Sequence, residues 1–266
     1  MKTAIIGAGN LGKSIAKGLL KNEQLEQLYL TKRNLEELNE FQHYPEVTLT
    51  TNNALAIAQS AIIILAVQPQ HLKPVLQNIA EHLGPKHLVI STITGVSIAQ
   101  LEALCPPKTA IVRAMPNTAI AVNTSMTCLC ANLPGNERIQ EAASIFEHLG
   151  TTLLIPEHQM QAATVVCASG IAFWMRLIRA TTQAGIQLGF DAKEAQMLAM
   201  HTCQGAANLL IHTGNHPEQE IDKVTTPKGC TIEGLNDMEN NGLSAALIQG
   251  MLSSFNKINT IKKEQT

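Results

Sequence analysis

Three glycines spaced Gly7-x-Gly9-x-x-Gly12 have the types and spacing that most plainly imply a chemistry. They follow an apolar run, Thr3-Ala4-Ile5-Ile6, and open a stretch where Leu11, Ile15, Ala16 and Leu19 recur at helical spacing. In a strand-turn-helix context Gly7 permits the tight turn and Gly9 lets the backbone approach a pyrophosphate. Gly12 allows close helix packing, and amides at the helix start, Asn10 and Leu11, donate to the anion. The implied chemistry is dinucleotide binding.

The kind of dinucleotide is read about 20 residues further on, where an acid would hold the ribose 2′-hydroxyl of NAD. A second strand, Leu28-Tyr29-Leu30, instead runs into Thr31, Lys32 and Arg33. Hydroxyl, ammonium and guanidinium groups suit a 2′-phosphate. NADPH is therefore the expected cofactor, with NADH possible.

These groups need a scaffold, and the first part of the chain supplies alternating strands and helices. After the first two strands, residues 61–67 form a third, continuous apolar run, as expected of a strand covered on both faces. Further strands are expected at Leu88-Val89-Ile90, Ala110-Ile111-Val112, residues 126–131 and residues 152–155. The alternation predicts βαβ units and a mostly parallel, doubly wound α/β sheet. After Pro156 the pattern becomes all-helical, with helices expected over 157–188, 192–212 and 243–257. The expected division is 1–156 for dinucleotide binding and 157–266 for a helical domain.

Composition narrows the function classes. A chain of 266 residues that is 45% hydrophobic and 15% charged can bury a sizeable core. A net charge of −2, with Lys/Arg clusters no longer than Lys32-Arg33 or Lys262-Lys263, gives no nucleic-acid footprint. The apolar N-terminal stretch is too short for a signal peptide, and no window is read as a membrane span, so no membrane partner is expected. The six cysteines (Cys105, Cys128, Cys130, Cys167, Cys203, Cys230) lack a repeated CxxC spacing. They read as apolar residues in a reducing cytoplasm, with no metal site.

Four segments carry a resemblance. They are Leu65-Ala66-Val67-Gln68-Pro69-Gln70, Ile90-Ser91-Thr92-Ile93-Thr94-Gly95-Val96 and Arg113-Ala114-Met115-Pro116-Asn117-Thr118, then a loop. The loop, Asp222-Lys223-Val224-Thr225-Thr226-Pro227-Lys228-Gly229-Cys230-Thr231-Ile232-Glu233-Gly234-Leu235, is the most diagnostic. In order and over essentially the whole chain they resemble the pyrroline-5-carboxylate reductase family. The resemblance implies a Rossmann domain followed by an all-α dimerisation domain, with the active site between domains and a homodimer or larger homo-oligomer. It implies NADPH-dependent reduction of 1-pyrroline-5-carboxylate to L-proline in the cytoplasm. Cofactor contacts are implied at Asn53, Ala66, Val67, Gln68, Pro69, Thr92 and Thr94. Substrate contacts are implied at Thr226, Gly229, Cys230 and Thr231, with the Thr231 hydroxyl facing the ring nitrogen.

The chain departs from the family pattern at Gln68, where lysine is usual, and at Ala119, where proline is common. Residues 168–173 replace a usual Gly-Ser-Gly-Pro-Ala-Tyr, Lys228 replaces the first glycine of a pair, and Cys230 replaces a small or hydroxyl residue. Three alternatives stay open: a reductase of another small cyclic imine, a β-hydroxyacid dehydrogenase-like enzyme, and a non-catalytic dinucleotide-binding protein. The dehydrogenase would want a lysine on the first helix after the sheet, where this chain offers Arg176 and Arg179. Thr231 also has a structural alternative, as the cap of a helix beginning near Ile232. His201, His212, Glu233 and Glu239 read as packing or surface residues, and His216 as a loop residue.

Overall fold

The computed structural model describes the backbone of residues 1–264 and the side chains of residues 1–259. It divides into two compact units, 1–169 with 255–266, and 170–254.

The first unit is built on eight strands: β1 Lys2–Ile6, β2 Gln27–Thr31, β3 Val47–Thr50, β4 Ile62–Leu65, β5 Leu88–Ser91, β6 Ala110–Met115, β7 Ser125–Ala131 and β8 Gly150–Leu154. They lie in the order β3-β2-β1-β4-β5-β6-β7-β8. All neighbours are parallel except β6 with β7. Between and after them come α1 Asn10–Leu19, α2 Asn53–Ala58, α3 Leu72–Ile79, α4 Ile98–Glu102, α5 Leu133–Asn136, α6 Ile139–Glu147 and α7 Met160–Ala163.

The continuous apolar runs form strands because each alternate residue finds its own layer. Ile5, Ile62, Ile64, Leu88, Ile90, Ala110 and Val112 point to one face, where Ile15, Ala16 and Leu19 of α1 and Ile145 and Phe146 of α6 cover them. Ala4, Ile6, Ile63, Leu65, Val89 and Ile111 point to the other, beneath Ala56 and Ile57 of α2 and Leu72, Leu76 and Ile79 of α3. A period of two thus feeds a core on each side of the sheet. Each fully buried Ile or Leu contributes about 1.5–3 kcal/mol relative to exposure.

One strand escaped the sequence reading. β3 is short and half-buried at the sheet edge, so its Val47-Thr48-Leu49-Thr50 alternation is a weak signal. The run predicted as the third strand is consequently β4, trimmed to Ile62–Leu65. On β6, Arg113 is buried; its Nη1 donates to Glu157 Oε1 at 2.9 Å. The same carboxylate oxygen accepts from the Ile98 amide at 2.6 Å, so the charge taken out of water is paired.

Residues Glu157–Gln187 form one helical run of 31 residues with mean hydropathy 1.4, long and apolar enough to cross a membrane by length and composition. This corrects the expectation that no window reaches that level. The run is not uniform: after α7 it passes through a π-helix, Thr164–Ser169, and continues as α8 Gly170–Gln187.

The second unit contains all of α8, then α9 Ala192–Thr213, α10 Pro217–Val224, α11 Cys230–Asn240 and the first half of α12 Leu243–Glu264. Helices α8 and α9 pack closely enough that a Cβ on Gly185 would sit 3.0 Å from the Ala195 Cβ. The turn between them ends at Asp191, whose Oδ1 caps α9 by accepting from Lys193 N at 2.8 Å and Glu194 N at 2.9 Å. α10 was not anticipated, and α11, expected only as a helix beginning near Ile232, starts two residues earlier at Cys230. α10 is charge-rich, and its start is marked by Pro217 after His216, a residue of the preceding loop, as expected, that also serves as the N-cap. α11 carries the Ile232, Leu235, Met238 spacing of a helix face, which was legible.

Candidate functional site

The strand order reverses between β1 and β4, whose neighbours run outward as β2-β3 on one side and β5-β6 on the other. Chains leave such a switch point in opposite directions and open a crevice at the strand ends. A cleft of about 620 Å³ lies there. Gly7, Gly9, Thr31, Lys32, Arg33, Asn53, Ala66, Val67 and Gln68 line it. The structure therefore brings together nine of the residues read as cofactor contacts.

The turn is built by the glycines and Thr31. Gly7 adopts φ +87°, and a Cβ on it would collide with Val67 Cγ1. Its amide donates to Thr31 O at 3.2 Å and to Thr31 Oγ1 at 3.3 Å, while Ala8 N donates to Thr31 O at 2.8 Å. Thr31 is buried yet lines the cleft, and its hydroxyl oxygen supports the glycine turn while its O–H stays available as a donor. Gly9 differs from Gly7: no protein atom lies within 4 Å of where its Cβ would be. The space above the Gly9 backbone is open to a ligand. The first helical bond of α1 is Lys13 N to Gly9 O at 2.8 Å, so the amides of Asn10, Leu11 and Gly12 have no partner within the helix.

Some expected contacts do not line the cleft. Gly12 is buried, and a Cβ there would meet Gly7 O at 3.1 Å, so its part is packing. Thr92 is buried and donates Oγ1–H to Leu65 O at 3.0 Å, bracing the end of β4. Thr94 directs its hydroxyl to Met115 Sδ at 4.0 Å, and Pro69 serves as the first residue of a 3₁₀ turn, Pro69–His71. Asn10 and Leu11 also fall outside the lining and contribute only the head of α1.

Sequence reasoning missed Asn34, Glu37, Thr51, His71 and Asn78, all of which face the cleft. Glu37 had a signal. Asn34 caps a 3₁₀ helix, Leu35–Phe41, by accepting from Glu36 N at 3.1 Å, and its acids answer the lysines of neighbouring elements. Lys32 Nζ meets Glu37 Oε2 at 2.5 Å, and Lys17 Nζ meets Glu40 Oε2 at 2.5 Å. The Lys32 ammonium holds the Glu37 carboxyl below its ordinary pKa. Arg33 is exposed and makes no ion pair among the described residues.

The second cluster lies at the head of α11. Gly229 N donates to Thr226 O at 2.9 Å across Pro227 and Lys228, and Lys228 has φ +60°. Proline second and a positive φ third are the marks of a type II turn. Gly229 is demanded by close approach, since a Cβ there would collide with Thr226 Oγ1. Its amide donates within the turn, so Gly229, expected as a substrate contact, shapes the loop in this structure. The amides of Cys230, Thr231 and Ile232, in the first helical turn, are the ones without a helical partner. Thus Thr226, Gly229, Cys230 and Thr231 do converge within one turn, with Gly229 shaping it.

Thr231 does not cap the helix. The N-cap is Gly229, with no side-chain cap bond, and α11 begins at Cys230. Thr231 is half-buried at the second helical position, and its hydroxyl has no hydrogen-bond partner among the described residues. Its structural alternative is thereby removed.

Lys228 marks a local cost. A non-glycine residue in the left-handed region costs roughly 1–2 kcal/mol, part of which glycine would return as entropy in the unfolded chain. Lys228→Gly is expected to stabilise the protein by about 1 kcal/mol, raising Tm by roughly 2–4 °C. Calorimetry on the two proteins checks this, and an unchanged or lower Tm contradicts it.

The comparisons with known proteins bear on the whole chain. A profile for pyrroline-5-carboxylate reductase dimerisation matches residues 157–261, and one for coenzyme F420-dependent NADP oxidoreductase matches residues 2–95. Pyrroline-5-carboxylate reductase 1 of Dictyostelium discoideum is 42% identical over 96% of this chain, which spans 48% of that protein's length. Pyrroline-5-carboxylate reductase 2 of the same organism is 38% identical, with 96% of this chain and 91% of the relative covered. The solved pyrroline-5-carboxylate reductase of Coxiella burnetii superposes with a TM-score of 0.90 at 29% identity, covering 100% of this chain and 98% of the other. The Rossmann sheet, the glycine-turned helix start and these matches over nearly the whole of this chain place it in the pyrroline-5-carboxylate reductase family.

Proposed function

We propose that this protein reduces 1-pyrroline-5-carboxylate to L-proline with NADPH, the last step of proline biosynthesis. The observation that carries the proposal is the head of α11, where three amides without helical partners stand beside the unpartnered Thr231 hydroxyl.

The residues present fit the cofactor. The cleft at the β1/β4 switch is open above Gly9, and Arg33 is uncommitted at its ribose end. When bound, NADPH supplies the hydride. The chain's residues supply binding and placement. Amides of Cys230, Thr231 and Ile232 grip the substrate carboxylate at the positive end of a helix. Thr231 Oγ1 accepts a hydrogen bond from the protonated ring nitrogen and orients the imine. The substrate brings its own proton, so no side chain needs to titrate.

NADPH is expected to bind more tightly than NADH, because cations stand where an acid would select NAD. Lys32→Ala with Arg33→Ala should weaken NADPH selectively. Equal dissociation constants for the two cofactors in the unaltered protein contradict this.

The division of labour we assign is 1–156 for the cofactor and 157–266 for substrate and self-association. The second unit leaves Trp174 55%, Leu188 81%, Met197 53% and Ile211 80% exposed, a larger apolar surface than a monomer leaves to water. A second copy of the chain, not lipid, covers the Glu157–Gln187 run in this reading, supported by the dimerisation profile over 157–261. Sedimentation at micromolar concentration should give a dimer or a larger homo-oligomer, and a monomer contradicts it. The six unpaired cysteines fit a reducing cytoplasm, where we place the protein.

A further inference from the structure

The ribose end of the cleft carries a carboxylate as well as cations. Lys32, Arg33, Asn34 and Glu37 all line it, and Lys32 Nζ lies 2.5 Å from Glu37 Oε2. Glu37 is no freely swinging surface acid. Its backbone carbonyl accepts from Lys13 Nζ at 3.2 Å, and the same ammonium pairs with Glu40 Oε1 at 3.1 Å. These contacts tie the 3₁₀ helix Leu35–Phe41 to α1, whose N-terminus faces the cofactor site.

We infer that Glu37 is a specificity-determining residue that limits how strongly the cleft favours NADPH over NADH. The inference rests on the cofactor reading above. A carboxylate at this end acts in two ways on the two cofactors. It repels a 2′-phosphate and occupies the ammonium that would otherwise bind it, so Lys32 must exchange Glu37 for the phosphate. It also offers an acceptor to the 2′-hydroxyl of NADH, the role an acid plays in NAD-selective sheets. The cleft therefore holds the cationic and the acidic solution side by side, with Glu37 opposing Arg33 and Lys32.

The test is equilibrium titration of the full-length protein with NADPH and NADH, for the parent, Glu37→Gln and Glu40→Gln. Glutamine keeps the size and removes the charge. Glu40 pairs with Lys13 and Lys17 and does not line the cleft, so its variant removes the same charge at a neutral location. Glu37→Gln should tighten NADPH about 3- to 10-fold and weaken NADH about 3-fold, the scale of one exposed charge pair and one hydrogen bond. The preference should thus rise about 10-fold or more, and the NADPH gain should shrink with added salt. Glu40→Gln should leave the preference within about twofold of the parent. If Glu37→Gln shifts both cofactors together, or changes the preference no more than Glu40→Gln, the inference is overturned. A parent that binds neither dinucleotide overturns the cofactor reading itself, and melting curves confirm that each variant is folded.

Discussion

Thr231→Ala is expected to lower kcat/KM for the imine about 10- to 100-fold while leaving NADPH affinity unchanged. In the proposed reaction the hydroxyl makes one hydrogen bond to a charged nitrogen, worth about 1.5–3 kcal/mol. At roughly 1.4 kcal/mol per factor of ten, that is one to two orders of magnitude. Thr231→Ser should recover much of the loss, because it restores the hydroxyl without the methyl group. The competing explanation, loss of a helix cap, would appear as about 1 kcal/mol of stability. Gly229 holds the cap position and Thr231 lies inside the first turn, so Tm should hardly move. A folded Thr231→Ala enzyme with unaltered kcat/KM ends the assignment.

The second large effect is at Gly9. Its φ of −77° and ψ of −160° are open to any residue, and nothing stands within 4 Å of its Cβ position. Gly9→Val should therefore fold with a Tm close to the parent's. In the proposed cofactor site the new side chain fills the space through which a pyrophosphate approaches the first-turn amides. Losing two charge-assisted hydrogen bonds costs roughly 3–6 kcal/mol, so NADPH affinity should fall about 100-fold or more. Gly7→Ala provides the contrast, since its φ of +87° and its collision with Val67 make the defect one of stability. If Gly9→Val binds NADPH as the parent does, the pyrophosphate does not lie over Gly9.

How much was legible follows from how local each signal is. Ile62 to Leu65 announced a two-faced strand because burial on both faces selects a continuous apolar run, and the glycine spacing announced its turn because only glycine tolerates φ +87° there. Edge strand β3 was lost because half-burial relaxes that selection. Thr92 reads as a ligand contact, yet its hydroxyl donates inside the fold to Leu65 O, and the Thr31 hydroxyl, which lines the cleft, also accepts from the Gly7 amide. Such a choice depends on the strand in the neighbouring register, which no local pattern carries. The Glu37–Lys32 pair and the free first-turn amides of α11 are three-dimensional facts of the same kind. The Thr-Pro-Lys-Gly turn, by contrast, was partly written in its residue types: Pro227 suits its second position, while Lys228 at φ +60° does not suit the third.

The most direct test of the central claim is a stoichiometric assay with the purified full-length protein, 1-pyrroline-5-carboxylate and NADPH. NADPH oxidation should depend on both protein and imine, with one L-proline formed for each NADPH consumed, and it should fall with Thr231→Ala in the proportion given above. A protein that binds NADPH yet never oxidises it in the presence of the imine would be a dinucleotide-binding protein on this fold, and the proposed reaction would be wrong.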